Sequence, residues 1–468
     1  MRTKILFALS ASALLMSGCS MAPKMEVPKT QLPSAQEDIS VNVTWWKQFN
    51  DNNLDALITE ALKNNDDLKL AIANVEKARA EYGFSKVDMY PQINLGGNAT
   101  RQRKSVHSYP GIYGGTYNNY GLSASVAYEL DFWGKALNQK DANLASLLAT
   151  DADKEAFRIS LITDVATYYF NLVAINKQLK IVNDSLKNYE ETYEYRKVQL
   201  QHGVVDELVV AQAKAQVASA KTQIQIIKSS EVKTKSALTL LLGRTPKEIF
   251  ENVITTSQVL PESITIPAGL PATLLQNRPD VKAAEETLRA KTALIGVAKA
   301  AYFPSISLTG NLGYQSQKLS NLVNGGSEVW GFGPTLNFPL FDFGRISNTV
   351  KASKADQKAA MISYDKVVKT AYKEVYESLE LIKVSKSKCS SVLEEMNAYN
   401  NAYIIAKKKF EHGYTNYLDV LSAQNALLNA RLTYVSAKSQ LLTDEATFYK
   451  TLGGGWRQCS FYKRYKNL

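Results

Sequence analysis

Between Tyr120 and Phe132 every second residue is apolar or aromatic. Tyr120, Leu122, Ala124, Val126, Tyr128, Leu130 and Phe132 alternate with Gly121, Ser123, Ser125, Ala127, Glu129 and Asp131. The same rhythm sets Ile306, Leu308, Gly310, Leu312 and Tyr314 against Ser305, Ser307, Thr309, Asn311, Gly313 and Gln315. It recurs with Trp330, Phe332, Leu336, Phe338 and Leu340 against Gly331, Gly333, Thr335 and Asn337, and more faintly with Ile93, Leu95 and Ala99. A period of two sustained this long predicts half-buried strands, at about 91–103, 118–133, 304–316 and 329–341. The remainder follows a helical rhythm. Residues 138–201 and 346–412 contain no proline or glycine, and at about 1.5 Å per residue each predicts a helix on the order of 100 Å long. Val368, Tyr372, Val375, Leu379 and Ile382 step by three and four. So do Leu418, Leu421, Asn425, Leu428, Leu432, Val435, Ser439, Leu442, Ala446 and Tyr449, which is the heptad period of left-handed supercoils. His202-Gly203 and His412-Gly413 break one long helix from the next. A glycine there supplies the positive φ of a helix C-cap, so each site predicts a tight helical hairpin.

The strands suit a soluble sandwich or a membrane barrel. Their length favours the barrel, because a tilted strand needs about 9–11 residues to cross a bilayer. Aromatics also gather near the strand ends (Tyr113, Tyr117, Tyr120, Phe132, Trp133, Phe341 and Phe343), where an interfacial girdle belongs. Pro334 is the exception, since proline normally confines a strand to an edge.

The chain contains this pattern twice. Tyr90-Pro91-Gln92-Ile93 returns as Phe303-Pro304-Ser305-Ile306, and Trp133-Gly134-Lys135 as Phe343-Gly344-Arg345. His202-Gly203 returns as His412-Gly413, and Leu242-Gly243 as Leu452-Gly453. The first landmark recurs after 213 residues and the other three after 210, so a three-residue length change accounts for the whole difference. Two copies of one structural unit follow, rather than a solenoid of short repeats.

Residues 1–18 read as an export signal: Arg2 and Lys4, an apolar run from Ile5 to Leu15, then small residues. Leu15-Met16-Ser17-Gly18-Cys19 resembles the lipobox of bacterial lipoproteins, with Met16 where leucine is usual. The resemblance implies acylation of Cys19, and Ser20 in place of an aspartate points to the outer membrane. Only Cys389 and Cys459 remain, too few for a disulfide framework. The net charge of +11 is spread without a long run of one sign, and no basic stripe with interleaved aromatics argues for nucleic acid. The three histidines fall in the two turns and at position 107. No metal-ligand spacing, phosphate-binding glycine loop or nucleophile elbow is present, so the reading is of a non-enzyme without cofactor or metal.

Four strands cannot close a barrel, and an open edge in lipid leaves backbone groups unsatisfied at several kcal/mol each. The barrel is therefore shared between chains. Eight strands from two chains would be filled by side chains, whereas twelve from three would leave a channel, and the Ser, Gly, Thr and Asn face suits a watery lumen. The expected fold class is α+β: an internal duplication with very long coiled-coil-like helices and four amphipathic strands per chain.

The duplicated pattern resembles the TolC-like outer-membrane efflux proteins, in their lipoprotein branch. The residues that carry the resemblance are Trp45-Trp46-Lys47-Gln48-Phe49 with Asp51 and Leu54, and Asn277-Arg278-Pro279-Asp280-Val281. With them go Tyr90-Pro91, Phe303-Pro304, Phe338-Pro339-Leu340-Phe341-Asp342 and the two His-Gly turns. The resemblance implies a homotrimer with a shared 12-stranded β-barrel and a periplasmic α-helical barrel. It implies an exit duct that docks a periplasmic adaptor and an inner-membrane pump of the resistance–nodulation–division type, and draws its energy from that pump. The divisions expected are the signal peptide with lipobox at 1–18 and a lipid-anchored linker at 19–43. Two efflux repeats follow at 44–257 and 258–456, with turns at 202–204 and 412–414, and a basic tail at 457–468. Asp419 falls on a gate aspartate position of the family, Ser422 replaces another a turn later, and Thr415 stands where some relatives carry arginine. Val204, Val205, Tyr414 and Thr415 beside the turns are the candidate adaptor contacts. The rival reading is a periplasmic adaptor lipoprotein, which the paired membrane-type strands and the long duplication argue against.

Overall fold

The computed structural model describes residues 20–26, 42–105, 107, 115–251, 254–264 and 278–456. The signal segment with Cys19, Tyr113, Asn277, Cys459 and the basic tail lie outside the described residues. The helices are α1 (Asn52–Asn64), α2 (Asp66–Val87), α3 (Lys135–Gln201), α4 (Glu207–Leu241), α5 (Pro246–Glu251), α6 (Pro279–Ala300), α7 (Arg345–Glu411) and α8 (Tyr417–Thr451). The strands are β1 (Gln92–Lys104), β2 (Gly115–Leu130), β3 (Ser305–Ser316) and β4 (Glu328–Asn337). α3 and α7 are each 67 residues long. Two compact units form, and each draws on both sequence repeats.

The first unit holds the strands, α2, α6 and the opening turns of α3 and α7. Its sheet runs β1-β2-β3-β4, antiparallel throughout. The registers carry the alternation across every strand. Ile93, Val126, Gly310 and Phe332 lie in one row, and Leu95, Ala124, Leu312 and Trp330 in another. The opposite face has rows of Asn94, Ser125, Asn311 and Gly331, and of Gly96, Ser123, Gly313 and Val329. Directly opposite residues share a face, so one face is apolar and the other is small and mostly polar. The apolar face is uncovered: Leu95 is 79% exposed and Phe332 85%.

Two strands stop short of the expected ends. β2 ends at Leu130 rather than near residue 133, because Asp131 Oδ2 accepts from Leu137 N at 2.8 Å and the chain turns into α3. β4 ends at Asn337 rather than near 341; Pro339 has no N–H to extend the ladder. Pro334 sits inside β4 opposite Leu308. Because β4 is an edge in the chain, its missing N–H is tolerated there.

The second unit is helical. Val182 and Tyr189 of α3 pack with Ala220, Ile224 and Ile227 of α4, and Leu428 and Leu432 of α8 close against them. The expected seam along α8 is buried at Leu421, Val435, Leu442, Ala446 and Tyr449, whereas Leu418 is 54% exposed. Its two polar positions have partners on α3. Tyr189 Oη donates to Asn425 Oδ1 at 3.0 Å, and Ser439 Oγ donates to Asn171 Oδ1 at 3.1 Å. These bonds satisfy the polar atoms that burial would otherwise penalise. The N-terminal Trp45 stacks on Tyr449 with centroids 5.0 Å apart. Asp51 caps α1 through Oδ1, while its Oδ2 accepts from Tyr169 Oη (2.6 Å) and Ser257 Oγ (2.7 Å). Burial, then the Asp51 carboxylate, pushes the Tyr169 hydroxyl up to about 12.

Arg278 joins three segments of this unit. Its Nη2 donates to Asp280 Oδ2 and Glu374 Oε2, both at 2.7 Å, and its Nη1 to the carbonyl of Thr451 at 3.0 Å. That carbonyl belongs to the last turn of α8, where helix acceptors lack partners and a positive charge is favoured. Burial alone would lower the guanidinium pKa, but the Asp280 and Glu374 carboxylates outweigh it and hold it above the ordinary arginine value.

Candidate functional site

The two hairpin tips share one construction. In the first, Val204 N–H bonds to Gln199 O (2.9 Å) and Gly203 N–H to Leu200 O (3.0 Å). In the second, Tyr414 N–H bonds to Lys409 O (2.8 Å) and Gly413 N–H to Phe410 O (2.9 Å). This is the Schellman arrangement, and φ is +71° at Gly203 and +77° at Gly413. Each outgoing helix is capped by a side chain: Asp206 accepts from Val209 N and Asn416 from Asp419 N. His202 and His412 are exposed.

Exposed apolar side chains crown both tips. Val204 is 66% exposed and Tyr414 82%, with Leu208 and Leu418 exposed one turn on. Val205 and Thr415 are half-buried. Asp419 lies in the first turn of α8, exposed, and its carboxylate accepts a hydrogen bond from Thr415 Oγ1. Ser422 is exposed one turn further along the helix.

A contact the sequence did not reveal joins the two tips. Arg196, six residues before His202, is 5% exposed. Its guanidinium lies 4.3 Å from the centroid of Tyr417 and 4.9 Å from that of Phe410. Nη1 donates to Gln199 Oε1 at 2.6 Å, while Nε has no hydrogen-bond partner among the described residues. Burial lowers its pKa. The aromatic faces stabilise the charge through their quadrupoles, so Arg196 fastens the first hairpin to both arms of the second. The cue in the sequence was slight: an arginine and two aromatics more than 200 residues apart.

In the first unit, a cleft of about 400 Å³ opens where strands meet helices, lined by Asp88, Glu129, Asp131 and Lys135 among others. Lys135 pairs with Glu129 at 3.1 Å. Among the described residues no group of His, Cys, Asp and Glu side chains could hold a metal ion. No described helix is long and apolar enough to cross a membrane, a statement that does not bear on strands.

The family model for outer membrane efflux proteins matches residues 57–244 and 270–454. An antibiotic efflux pump outer membrane protein of Pseudomonas putida, ArpC, is 31% identical over 468 residues, covering 97% of this chain and 96% of its own. The cation efflux system protein CusC of Escherichia coli O6:H1 is 32% identical over 459 residues, covering 95% and 98%. The solved outer membrane channel CmeC of Campylobacter jejuni superposes with a TM-score of 0.91 at 28% identity, covering 96% and 98%. The chain belongs to the outer membrane efflux protein family.

Proposed function

We propose that the protein is the outer-membrane exit duct of a tripartite efflux system, a passive gated pore built from three copies of this chain. The observation that carries the reading is the sheet: among the described residues its apolar face is uncovered and its β1 and β4 edges have no strand beside them. In lipid those edges require partners. A shared 12-stranded barrel supplies them, with the apolar face toward the bilayer and the small polar face toward the lumen. The helical second unit then belongs to a periplasmic α-helical barrel.

The duplication supports a register for the closing pair. Its two offsets convert Gln92↔Ala127 of the first hairpin into Ser305↔Asn337 of the second, and Asn98↔Gly121 into Asn311↔Gly331. The same offsets convert the β2–β3 pair Ser123↔Gly313 into Gly333 of one copy facing Thr100 of the next. Full-length protein carrying Thr100→Cys and Gly333→Cys should therefore form covalent trimers on oxidation. Native trimers that stay uncross-linked would refute this register, and a monomeric mass would refute the shared barrel.

Export is directed outward, with energy supplied by the partner pump, for which the resistance–nodulation–division class is the expected type. The periplasmic adaptor docks on Val204, Val205, Tyr414 and Thr415. Asp419, with Thr415 and Ser422, forms the gate: three Asp419 carboxylates around a narrow axis attract cations and repel one another. Acylated Cys19 anchors each chain in the outer membrane. The two relatives named for antibiotic and for cation efflux support efflux of small molecules without selecting the cargo. Membership of a channel family and the paired strands favour the duct over an adaptor lipoprotein.

A further inference from the structure

Gly83 lies in the interior of α2, where a glycine is less favourable than an alanine. Among the described residues nothing in its own chain accounts for it: a Cβ built there meets no atom within 4 Å. Its repeat mate, 213 residues on, is Gly296 in α6. There the reason is plain. A Cβ on Gly296 would lie 2.5 Å from Asn138 Nδ2, 2.6 Å from Asn138 Cγ and 2.8 Å from Ala22 N. Gly296 is the notch that receives Asn138 of α3, a side chain 1% exposed whose Oδ1 accepts from Ser20 Oγ at 2.7 Å.

Asn138 has a repeat mate too. It is the fourth residue after Gly134, and Asn348 is the fourth after Gly344. Both asparagines donate their backbone N–H to those glycine carbonyls at 2.9 Å. Asn348, however, is exposed. The chain therefore carries the Asn–Gly pair twice: once joined, between α3 and α6, and once parted, with Asn348 on α7 and Gly83 on α2.

The flanks agree. α6 is held on its α7 side as well, through Gln357 Nε2 donating to Thr292 Oγ1 (3.1 Å) and Lys291 paired with Asp356 (3.6 Å). α2 is bonded to α3, by Asn143 Nδ2 donating to Glu81 O (3.3 Å). Beside Gly83, Phe84 and Val87 are 75% and 63% exposed, whereas Ala300, the mate of Val87, is 5% exposed. On α7, Ile362 is 59% exposed.

We infer that α7 of one copy packs on α2 of the next in the manner of α3 on α6, with Asn348 seated in the notch of the neighbouring copy's Gly83. The occupant is a second copy of this chain, because the pair that completes each half-site is encoded in the same sequence at the same two offsets that relate the sheet registers. The neighbour also lies on the side that the β4–β1 closure requires. The inference deepens the three-chain reading and rests on it.

The test is full-length protein, with Cys389 and Cys459 changed to serine, carrying Gly83→Cys and Asn348→Cys. In the joined pair, Asn138 Cγ stands 2.6 Å from the Gly296 Cβ position, so the two Cβ positions are at most about 4 Å apart, within disulfide range. Oxidation should give a reducible covalent trimer. Asn138→Cys with Gly296→Cys, the reference, should bond within one chain and leave the band at monomer mass. A second variant, Gly83→Leu, should leave the chain folded but lose the trimer in native mass spectrometry. Trimers without an interchain bond, a bond within one chain, or a Gly83→Leu trimer of unchanged stability would overturn the inference and leave the three-chain reading standing. A monomeric mass for the wild-type protein would overturn both.

Discussion

Replacing Arg278 with methionine keeps an unbranched apolar stem but removes every donor. The Thr451 carbonyl, on a residue 5% exposed, is then buried without a partner, at about 1–3 kcal/mol. The two carboxylates fare better. The side chains of Asp280 and Glu374 are 38% and 43% exposed, so they rehydrate, and each lost pair is worth about 0–1 kcal/mol. Together the substitution should cost about 1–5 kcal/mol. The loss should be local to the end of α8 and the start of α6, the segments that Arg278 fastens. Hydrogen exchange of purified protein in detergent reads this directly: amides near residues 448–452 should exchange faster in Arg278→Met than in wild type, while those around Val182 and Ile224 stay protected. Glu374→Gln should move the same amides by less than about 1 kcal/mol, because water already reaches that carboxylate. Unchanged exchange at the end of α8 in Arg278→Met, or an equal loss in Glu374→Gln, would refute the assignment of the cost to the buried carbonyl.

Further outcomes follow from the tips and the core. Asp419→Ala should raise single-channel conductance and relieve block by divalent cations; identical traces would remove the gate assignment. Val204→Asp should abolish in vivo cross-linking to the adaptor without lowering the amount of protein in the outer membrane, and full retention would count against docking there. Arg196→Leu should loosen the two hairpins, seen as faster proteolysis at residues 202–206 and 412–416, whereas Arg196→Lys should recover part of the protection through its remaining charge. Glu445 supplies a pH test. Burial raises its pKa, against hydrogen bonds from Ser263 and the Ile264 N–H and the nearby Lys386 charge, with Asp444 adding to the rise. An acid raised in the folded state binds its proton more tightly there. Its contribution is therefore full below the unfolded value of about 4.3 and is lost as pH rises through the native one. Thermal midpoints from pH 4 to 7 should fall less steeply in Glu445→Gln, and parallel curves would contradict this.

The strands were legible because their alternation has one physical cause, two faces in different media, and the observed registers extend that alternation across all four. The seams were legible for the same reason, down to the polar Asn425 and Ser439, although what those two bond on α3 required coordinates. The ends of β2 and β4 were misjudged because Asp131 and Pro339 act on the backbone, which hydrophobicity does not record. Arg196 was missed because its partners come from the other repeat. Gly83 is intelligible only beside Gly296, whose neighbours reveal what the notch receives.

The most direct test of the central claim is single-channel recording of the purified protein in planar bilayers, with native mass measured on the same preparation. A trimer with small, cation-selective and mostly closed conductance is the predicted result. A monomer that conducts nothing would contradict both the shared barrel and the duct.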